Sequence, residues 1–232
     1  MSALLQTRVG PASAWCSGRA QGNVGDHVGD DPAAVARNRS GLAAAAGLPG
    51  PESWVWLRQV HGAVVFEADR PTPPGAPPEA DAAVTATRGL PLAIVTADCA
   101  PLVVASDHAV AVVHAGHRGL LAGVIERAVE RVRASGPADV HAFLGPCIHP
   151  ARYEFGAEDL AALVDRFGPE VAGVSETGAP ALDIPAAVRI AVFDLDVASF
   201  DDSDVCTSTS PAYFSHRRDG VTGRQATVAV LP

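Results

Sequence analysis

The apolar residues of this chain fall into short runs that are separated by glycine, proline and polar clusters, a pattern typical of buried strands. We predict strands at 54–57, 63–68, 82–85, 92–96, 109–113, 140–144 and 226–231. Reactive residues follow two of these runs directly, as TADC at 96–99 and HAGHRG at 114–119. Because a buried strand excludes water, we expect the chemistry of the protein where these strands end.

Helices are predicted where apolar positions recur at three- and four-residue steps, or where capping residues mark an end. They are expected at 32–46, 121–132, 157–167 and 185–195. Asp31 can cap the first of these helices, and Gly47 closes it. The stretch 70–79 contains five prolines and predicts a stiff surface loop within one domain.

Length and charge limit the kind of protein. The chain has 232 residues, 48% of them hydrophobic, which suits a single α/β or β-rich domain over 1–232. Its formal net charge of −9 argues against binding to nucleic acid or to an anionic membrane surface, because both would repel it. A small basic pocket remains compatible with this charge.

The cysteines and the hydropathy pattern predict the compartment. Cys16, Cys99, Cys147 and Cys206 follow no close pairing pattern, so we expect free thiols rather than disulfides or a zinc knuckle. The apolar patch near the N-terminus is too short for a secretion signal, and no later run reaches membrane-spanning length. We therefore expect a soluble, cytoplasmic protein.

A thiol and imidazoles at strand ends permit more than one chemistry. Cys99 could be a nucleophile that a histidine such as His114 activates, with Asp98 as the orienting group. Cys99 and two histidines could instead bind zinc and leave the fourth position open for water or substrate. The third interpretation is a thiol buried in the core without a chemical role. The spacing of these residues does not decide between the three.

The segment 114–119 joins a predicted strand to the start of a predicted helix. Unpaired backbone N–H groups and the positive end of the helix dipole lie there, beside Arg118. This arrangement can hold an anion such as phosphate, although glycine-rich turns of this kind also occur without one.

Several short segments together carry a family resemblance. They are GNVGDHVGDDP…NR at 22–39, QVHG at 59–62, ADAAVT at 80–85, TADCAPL at 96–102, HAGHRG at 114–119, GPCI at 145–148 and the tail CT…FSHRRDGVTGR. In this order they closely resemble the motifs of the YfiH-like family, also called the laccase-domain or polyphenol oxidase family, which is associated with purine nucleoside phosphorylase activity. The resemblance implies a mixed α/β (α+β-like) fold, a single domain with central mixed β-sheets flanked by outer helices.

The resemblance also implies a metal centre. It places zinc, rather than copper, on His61, Cys99 and His114, and it gives Cys99 and His114 a catalytic role. The implied partners are purine nucleosides and phosphate, with phosphorolysis of adenosine, inosine, guanosine and methylthioadenosine, together with deamination of adenosine. The preferred nucleoside and the oligomeric state are not predicted.

Further site residues follow from the same motifs. Asn23 and Arg39 match the N-terminal motif of the family, so both are expected in the pocket, with Arg39 catalytic and in contact with phosphate or substrate. His117, Arg118 and Arg218 are likewise expected to bind substrate, and Arg118 to bind the phosphate together with Arg39.

Two positions depart from the usual pattern of the family. His117 stands where the family has Trp, and His216 stands where it has Tyr. Both changes replace a large ring by a smaller titratable one, which weakens stacking on a purine and makes proton donation available.

Three other functions compete with phosphorolysis. A multicopper laccase needs more histidine ligands than the eight scattered along this chain, and the expected His-x-His pairs are absent from the sequence. A cysteine hydrolase that uses Cys99 is the second, because some relatives are linked to peptidoglycan editing. The third is a non-catalytic binding role in cell-envelope or division processes.

Overall fold

A computed structural model describes residues 4–232 and arranges them as two layered β-sheets between helices. The strands are β1 (Leu5–Val9), β2 (Ala12–Cys16), β3 (Val65–Glu67), β4 (Ala82–Thr85), β5 (Leu92–Thr96), β6 (Ala100–Ala105), β7 (Val110–Ala115), β8 (His141–Leu144), β9 (Ala172–Val174), β10 (Pro180–Leu182), β11 (Ser199–Asp202) and β12 (Gln225–Val230). The α-helices are α1 (Pro32–Ala46), α2 (His117–Leu121), α3 (Val124–Ala134), α4 (Ala157–Phe167), α5 (Ile184–Phe193) and α6 (His216–Asp219).

The two large sheets differ in their connections. One is antiparallel, with the order β1-β2-β12-β5, so the last strand of the chain lies inside it between β2 and β5. The other is mixed, with the order β11-β8-β6-β7-β4-β3, and its outer pairs β11/β8 and β3/β4 are parallel. A separate short ribbon pairs β9 with β10.

Alternation along the strands divides the buried side chains between separate cores. In β6, Val103 packs between the two sheets, whereas Leu102 and Val104 pack against the helices on the other face. Leu42 of α1 covers the outer face of the four-stranded sheet, where it joins Ala93. The layers are therefore helix, sheet, sheet and helices, which confirms the mixed α/β class with central sheets and outer helices.

The four helices that the sequence predicts are present, but α5 ends at Phe193 rather than at about 195, and α2 and α6 were not predicted. Asp31 caps α1 through the backbone N–H groups of Ala33 and Ala34, and α4 has the predicted bounds. The helix predicted from Leu121 is wrong at its start, because Leu121 ends α2 and α3 begins at Val124. Gly123 between them has φ 80°, a left-handed conformation that interrupts a right-handed helix.

The strand predicted at 54–57 is wrong. This segment makes only an isolated bridge, from Val55 to Leu92. The Trp56 backbone N–H donates instead to Thr72 Oγ1 at 2.9 Å, and the Thr72 N–H donates to the Trp54 carbonyl at 3.3 Å. The proline-rich loop 70–79 thus satisfies backbone groups that a neighbouring strand would have paired.

Several strand boundaries also differ from the prediction. The strand expected at 63–68 is limited to β3, and β7 extends to Ala115, so that His114 lies within the strand rather than after it. The prediction missed β1, β2, β6, β9, β10 and β11. Because β6 begins directly after Cys99, this residue lies in a short connection between two strands.

Among residues 4–232, no helix combines the length and the apolar character that crossing a membrane requires. All four cysteines are free thiols, as the sequence predicted.

Candidate metal centre

Three potential metal ligands meet at one edge of the stacked sheets. His114 lies in β7 and shares its side of the strand with Val112, which packs between the two sheets. Cys99 lies where the chain passes from β5 in one sheet to β6 in the other, and His61 lies in a turn before β3. One ligand atom from each of His61, Cys99 and His114 lies within 4.8 Å of the other two, so the group could hold a metal ion.

Asp81 organises two of these three residues. Its fully buried carboxylate contacts His114 Nδ1 at 2.8 Å and accepts the backbone N–H groups of Val60, His61 and Gly62 at 3.2, 2.8 and 2.7 Å. These bonds hold His61 in a left-handed conformation with φ 61°. Since Nδ1 of His114 is engaged, Nε2 is the nitrogen that is available to a metal.

The protonation states of the three residues bear on metal binding. Burial raises the pKa of the Cys99 thiol, but the charge and hydrogen bond of His114, and then His61 at 3.8 Å from Sγ, bring this pKa below its ordinary value. Burial also raises the pKa of Asp81, whereas the hydrogen bonds from His114 and Gly62 lower it, with a net decrease. Burial lowers the pKa of His114, but the charges and hydrogen bonds of Cys99 and Asp81 raise it to about 9. The thiolate and the neutral imidazole are the forms that bind metal ions, so a bound metal ion would displace a proton from His114.

Two glycines of HAGHRG are required by close packing around the ligands. A methyl group on Gly116 would lie 2.9 Å from His61 Cδ2 and 3.2 Å from Cys99 Sγ. A methyl group on Gly119 would lie 2.9 Å from the Gly62 carbonyl oxygen. These glycines therefore let β7 and α2 approach the turn that carries His61.

The three candidate ligands face an open pocket of about 330 Å³, which we call the metal pocket. A cavity of this size can take part of a small organic ligand. The other residues that line it are His27, Gln59, Val95, Thr96, Ala97, Asp98, His117, Tyr153, His216, Arg217 and Arg224. The structure thus brings His117 and His216, the two departures from the family pattern, to the same pocket as His61, Cys99 and His114.

His117 packs at the side of this pocket. Its ring meets Phe155 edge to face, with centroids 5.1 Å apart. Partial burial, and then the charge of Arg118, lower the pKa of His117, so its imidazole is neutral near pH 7. Arg118 itself is exposed and lies outside the residues that line the pocket.

Arg39 lies in an adjoining cavity rather than in the metal pocket. This cavity of about 350 Å³ shares His27, Gln59 and Val95 with the metal pocket. The Arg39 guanidinium lies 4.0 Å from the centre of the Trp56 ring and 3.2 Å from the Asp26 carboxylate. Arg39 is therefore near the metal pocket, but a carboxylate and an aromatic ring already hold it.

Asn23 and Arg218 also lie outside the lining of the pocket. The Asn23 amide donates to Gly25 and Asp30 and accepts the backbone N–H groups of Gly25 and Arg224. Arg218 pairs with Asp219 and donates to a series of backbone carbonyls, those of Thr207, Ser208, Ser210 and Tyr213. Both side chains thus organise loops beside the pocket.

Asp98 does not orient His114, because Asp81 does. The Asp98 carboxylate accepts the Thr207 hydroxyl at 2.6 Å and the Arg217 backbone N–H at 2.7 Å, which ties the C-terminal segment to the pocket. Sequence reasoning missed the role of Asp81, although this residue stands within ADAAVT, where an acid enters a buried strand. It also missed that Arg217 and Arg224, from the arginine-rich tail, reach the pocket.

Stacked sheets between helices, with an open His–Cys–His group at one edge, define a mixed α/β protein with a candidate three-ligand metal centre. The family model described as multi-copper polyphenol oxidoreductase laccase matches residues 2–232. The chain belongs to this family, which confirms the resemblance seen in the sequence motifs.

Relatives and solved structures agree with this membership. The chain is 45% identical over 210 residues to a purine nucleoside phosphorylase of Mycobacterium bovis, covering 89% of this chain and 83% of the relative. It is 42% identical over 208 residues to one of Streptomyces coelicolor, covering 88% and 85%. The structure of YlmD from Geobacillus stearothermophilus is similar, with a TM-score of 0.84, 30% identity and coverage of 99% and 96%. A Neisseria meningitidis protein of family DUF152 has the same TM-score and identity, with 99% of both chains covered.

Proposed function

We propose that this protein is a zinc-dependent purine nucleoside phosphorylase. The observation that carries the proposal is the group of His61, Cys99 and His114, which opens into a pocket that also contains arginine side chains. Relatives that are named purine nucleoside phosphorylases match most of the chain. Adenosine, inosine, guanosine and methylthioadenosine are the proposed nucleosides, and phosphate is the second substrate.

The donor set fits zinc. Two imidazoles and a thiolate are ligands that zinc accepts, and a three-ligand centre facing a pocket is typical of catalytic zinc sites. The description of the family refers to copper, and copper also binds His₂Cys sets, usually with a long axial Met. The only methionine in this sequence is Met1, which weighs against that type of site. When bound, zinc would act as a Lewis acid and stabilise negative charge in the pocket.

In the proposed phosphorolysis, a phosphate oxygen forms a bond to the anomeric carbon of the ribose while the bond from this carbon to the purine nitrogen breaks. The purine leaves with the electron pair and takes a proton from a pocket imidazole or from water. Arg39 and Arg118 are proposed to attract the phosphate, and neutral His117 to hydrogen-bond the nucleoside. Asn23 and Arg218 act in this scheme by holding the loops around the pocket.

Adenosine deamination is a second proposed reaction of this pocket. Water would add to the purine carbon that carries the amino group, and ammonia would leave. A reaction of this class is established for zinc sites built from histidine and cysteine. We expect the protein to act in the cytoplasm as a single domain over 1–232.

The deciding experiment combines metal analysis of the purified protein with chromatography of adenosine incubations, with and without phosphate. We expect about one zinc per chain, and adenine with ribose 1-phosphate only when phosphate is present. Inosine formed without phosphate would identify deamination. A fully zinc-loaded protein that forms neither adenine nor inosine would overturn the proposal.

One observation favours a second candidate, a cysteine hydrolase. In space, the His114 imidazole lies between the Cys99 thiol and the Asp81 carboxylate. This is the arrangement of a nucleophile, its base and the group that orients the base. Alkylation of Cys99 that abolishes hydrolysis while the metal content stays unchanged would favour the hydrolase over the phosphorylase.

A further inference from the structure

The arginines near the pocket differ in how their charge is balanced. Arg39 pairs with Asp26, and Arg218 pairs with Asp219. Arg217 and Arg224 line the pocket that holds the metal ligands, and within residues 4–232 neither has a carboxylate at ion-pair distance. A guanidinium at the wall of a pocket without a carboxylate partner is a binding group for an external anion.

Arg224 is built into this wall by the loop 22–25. Its backbone N–H donates to Asn23 Oδ1 at 2.8 Å, and a methyl group on Gly25 would lie 2.7 Å from its Cγ. One terminal nitrogen donates to the carbonyls of Thr222 and Gly223 at 2.9 and 3.1 Å. Within the described part of the chain, Nε and the other terminal nitrogen have no acceptor, so they remain available to a ligand.

Arg224 is half-buried, so water solvates its positive charge only in part and a negative partner would stabilise it. Burial lowers the pKa of its guanidinium, and attraction to Cys99 and Asp98 opposes this change. Within residues 4–232 the Asp98 carboxylate makes no hydrogen bond to Arg224; it accepts the Thr207 hydroxyl and the Arg217 backbone N–H instead.

Arg217 lines the same pocket, and several contacts hold this exposed residue. Its backbone N–H bonds Asp98 Oδ2, one terminal nitrogen donates to the Glu154 carbonyl at 2.8 Å, and the guanidinium lies 4.7 Å from the centre of the Tyr153 ring. Among residues 4–232, its Nε and its other terminal nitrogen have no acceptor. Backbone, carbonyl and aromatic contacts thus hold the side chain in place without neutralising it.

We propose that Arg217 and Arg224 form the phosphate subsite of the metal pocket. On each guanidinium, two nitrogens have no acceptor among residues 4–232, so the pair offers four nitrogens as hydrogen-bond donors. A tetrahedral dianion can accept several hydrogen bonds of this kind. The subsite rests on the proposed phosphorolysis and adds Arg217 and Arg224 to Arg39 and Arg118 as residues that bind its second substrate. Asn23 is then a positioning residue that acts through Arg224.

The test uses the full-length, zinc-loaded protein and the variants Arg217→Gln and Arg224→Gln, with Arg37→Gln as the control. Arg37 lies on the surface of α1, with 70% of its side chain exposed. We expect the KM for inorganic phosphate to rise about tenfold or more in each pocket variant, because each loses charge-assisted hydrogen bonds. The KM for the nucleoside and the zinc content should stay within about twofold of the parent.

Binding of inorganic phosphate, measured by calorimetry without nucleoside, separates the subsite from the reaction. Loss of this binding in Arg217→Gln and Arg224→Gln supports the subsite even if no nucleoside is cleaved. Normal turnover with an unchanged KM for phosphate in both variants overturns it, while the phosphorylase function stands. An equal rise of this KM in Arg37→Gln also overturns it. Arg224→Lys keeps the charge, so partial recovery of phosphate binding in this variant separates a lost contact from a misfolded loop.

Discussion

At the scale of single residues, Asp81 decides the geometry of the candidate metal centre. Its two oxygens receive the His114 ring and the backbone N–H groups of Val60, His61 and Gly62. One side chain thus fixes the ring of one ligand and the turn that carries another. Groups that hold metal ligands in this way contribute strongly to metal affinity.

We expect Asp81→Asn to weaken zinc binding by about 10- to 100-fold. An amide has one acceptor oxygen where the carboxylate has two, and its NH₂ group would face the N–H donors of the turn. Competition with a zinc chelator measures the affinity. Asp69→Asn is the control, because the Asp69 side chain is 74% exposed and, among residues 4–232, pairs only with its neighbour Arg70. Equal affinities of the two variants would contradict this role of Asp81.

Asp26 gives a second prediction at this scale, for the dependence of stability on pH. The nearby His27 ring lowers the pKa of Asp26, partial burial opposes this, and Arg39 lowers it further, to about 2. A carboxyl whose pKa falls below the ordinary 3.8 on folding stabilises the protein above pH 3.8, and this stabilisation is lost as the pH falls through about 2.

Asp26→Asn should therefore be less stable than the parent at pH 6, by less than about 1 kcal/mol because the Asp26 side chain is 63% exposed. The difference in the free energy of unfolding should shrink as the pH is lowered from about 4 towards about 2. Urea titrations of both proteins across this range measure it. A difference that is constant with pH would show that Asp26 is not held as described.

At the scale of elements, α1 shows that the effect of a glycine depends on its place in a helix. Gly41 lies in the exposed interior of α1, and an added methyl group would meet nothing within 4 Å. Gly47 ends α1 with φ 68°, in the left-handed region that side chains disfavour. Both glycines are surrounded by open space, so the two positions differ only in their backbone conformation.

The same substitution should consequently have opposite effects at these two positions. Gly41→Ala should raise the free energy of unfolding by about 0.5–1 kcal/mol, because alanine loses less backbone entropy in a helix. Gly47→Ala should lower it by about 1 kcal/mol, because of the left-handed backbone. Thermal unfolding followed by circular dichroism compares the two variants, each of which serves as the control for the other. Changes of the same sign would contradict the assigned end of α1.

At the scale of the whole molecule, the candidate metal centre joins segments that are distant in sequence. His61 comes from a turn before β3, Cys99 from the connection between the two sheets, and His114 from β7. A metal held by all three would link both sheets in the folded state, whereas the unfolded chain has no such site. Binding to the folded state alone raises stability by mass action.

Removal of the metal should therefore lower the unfolding temperature. Free zinc at 100 times its dissociation constant contributes about 2.7 kcal/mol, which corresponds to roughly 5–10 °C for a domain of this size. Calorimetry before and after dialysis against a chelator measures the shift. In His61→Ala the shift should be much smaller, and an equal shift in both proteins would show that the metal binds elsewhere.

The sequence by itself determined some of the helices and, through its family motifs, the ligands proposed for the candidate centre. Periodicity and capping residues placed α1 and α4, because spacing and end residues act within a single segment. The motifs pointed to His61, Cys99 and His114, which the fold brings together. The fold class also followed from the family motifs.

Only the tertiary structure decided which side chains surround those ligands. Asp81 rather than Asp98 holds the His114 ring, and Arg217 and Arg224 rather than Arg39 line the pocket. The strand predicted at 54–57 is reduced to a bridge at Val55, because the next backbone N–H, of Trp56, donates to the side chain of a loop residue, Thr72. These outcomes depend on contacts between distant segments, and one-dimensional spacing does not record which segments meet.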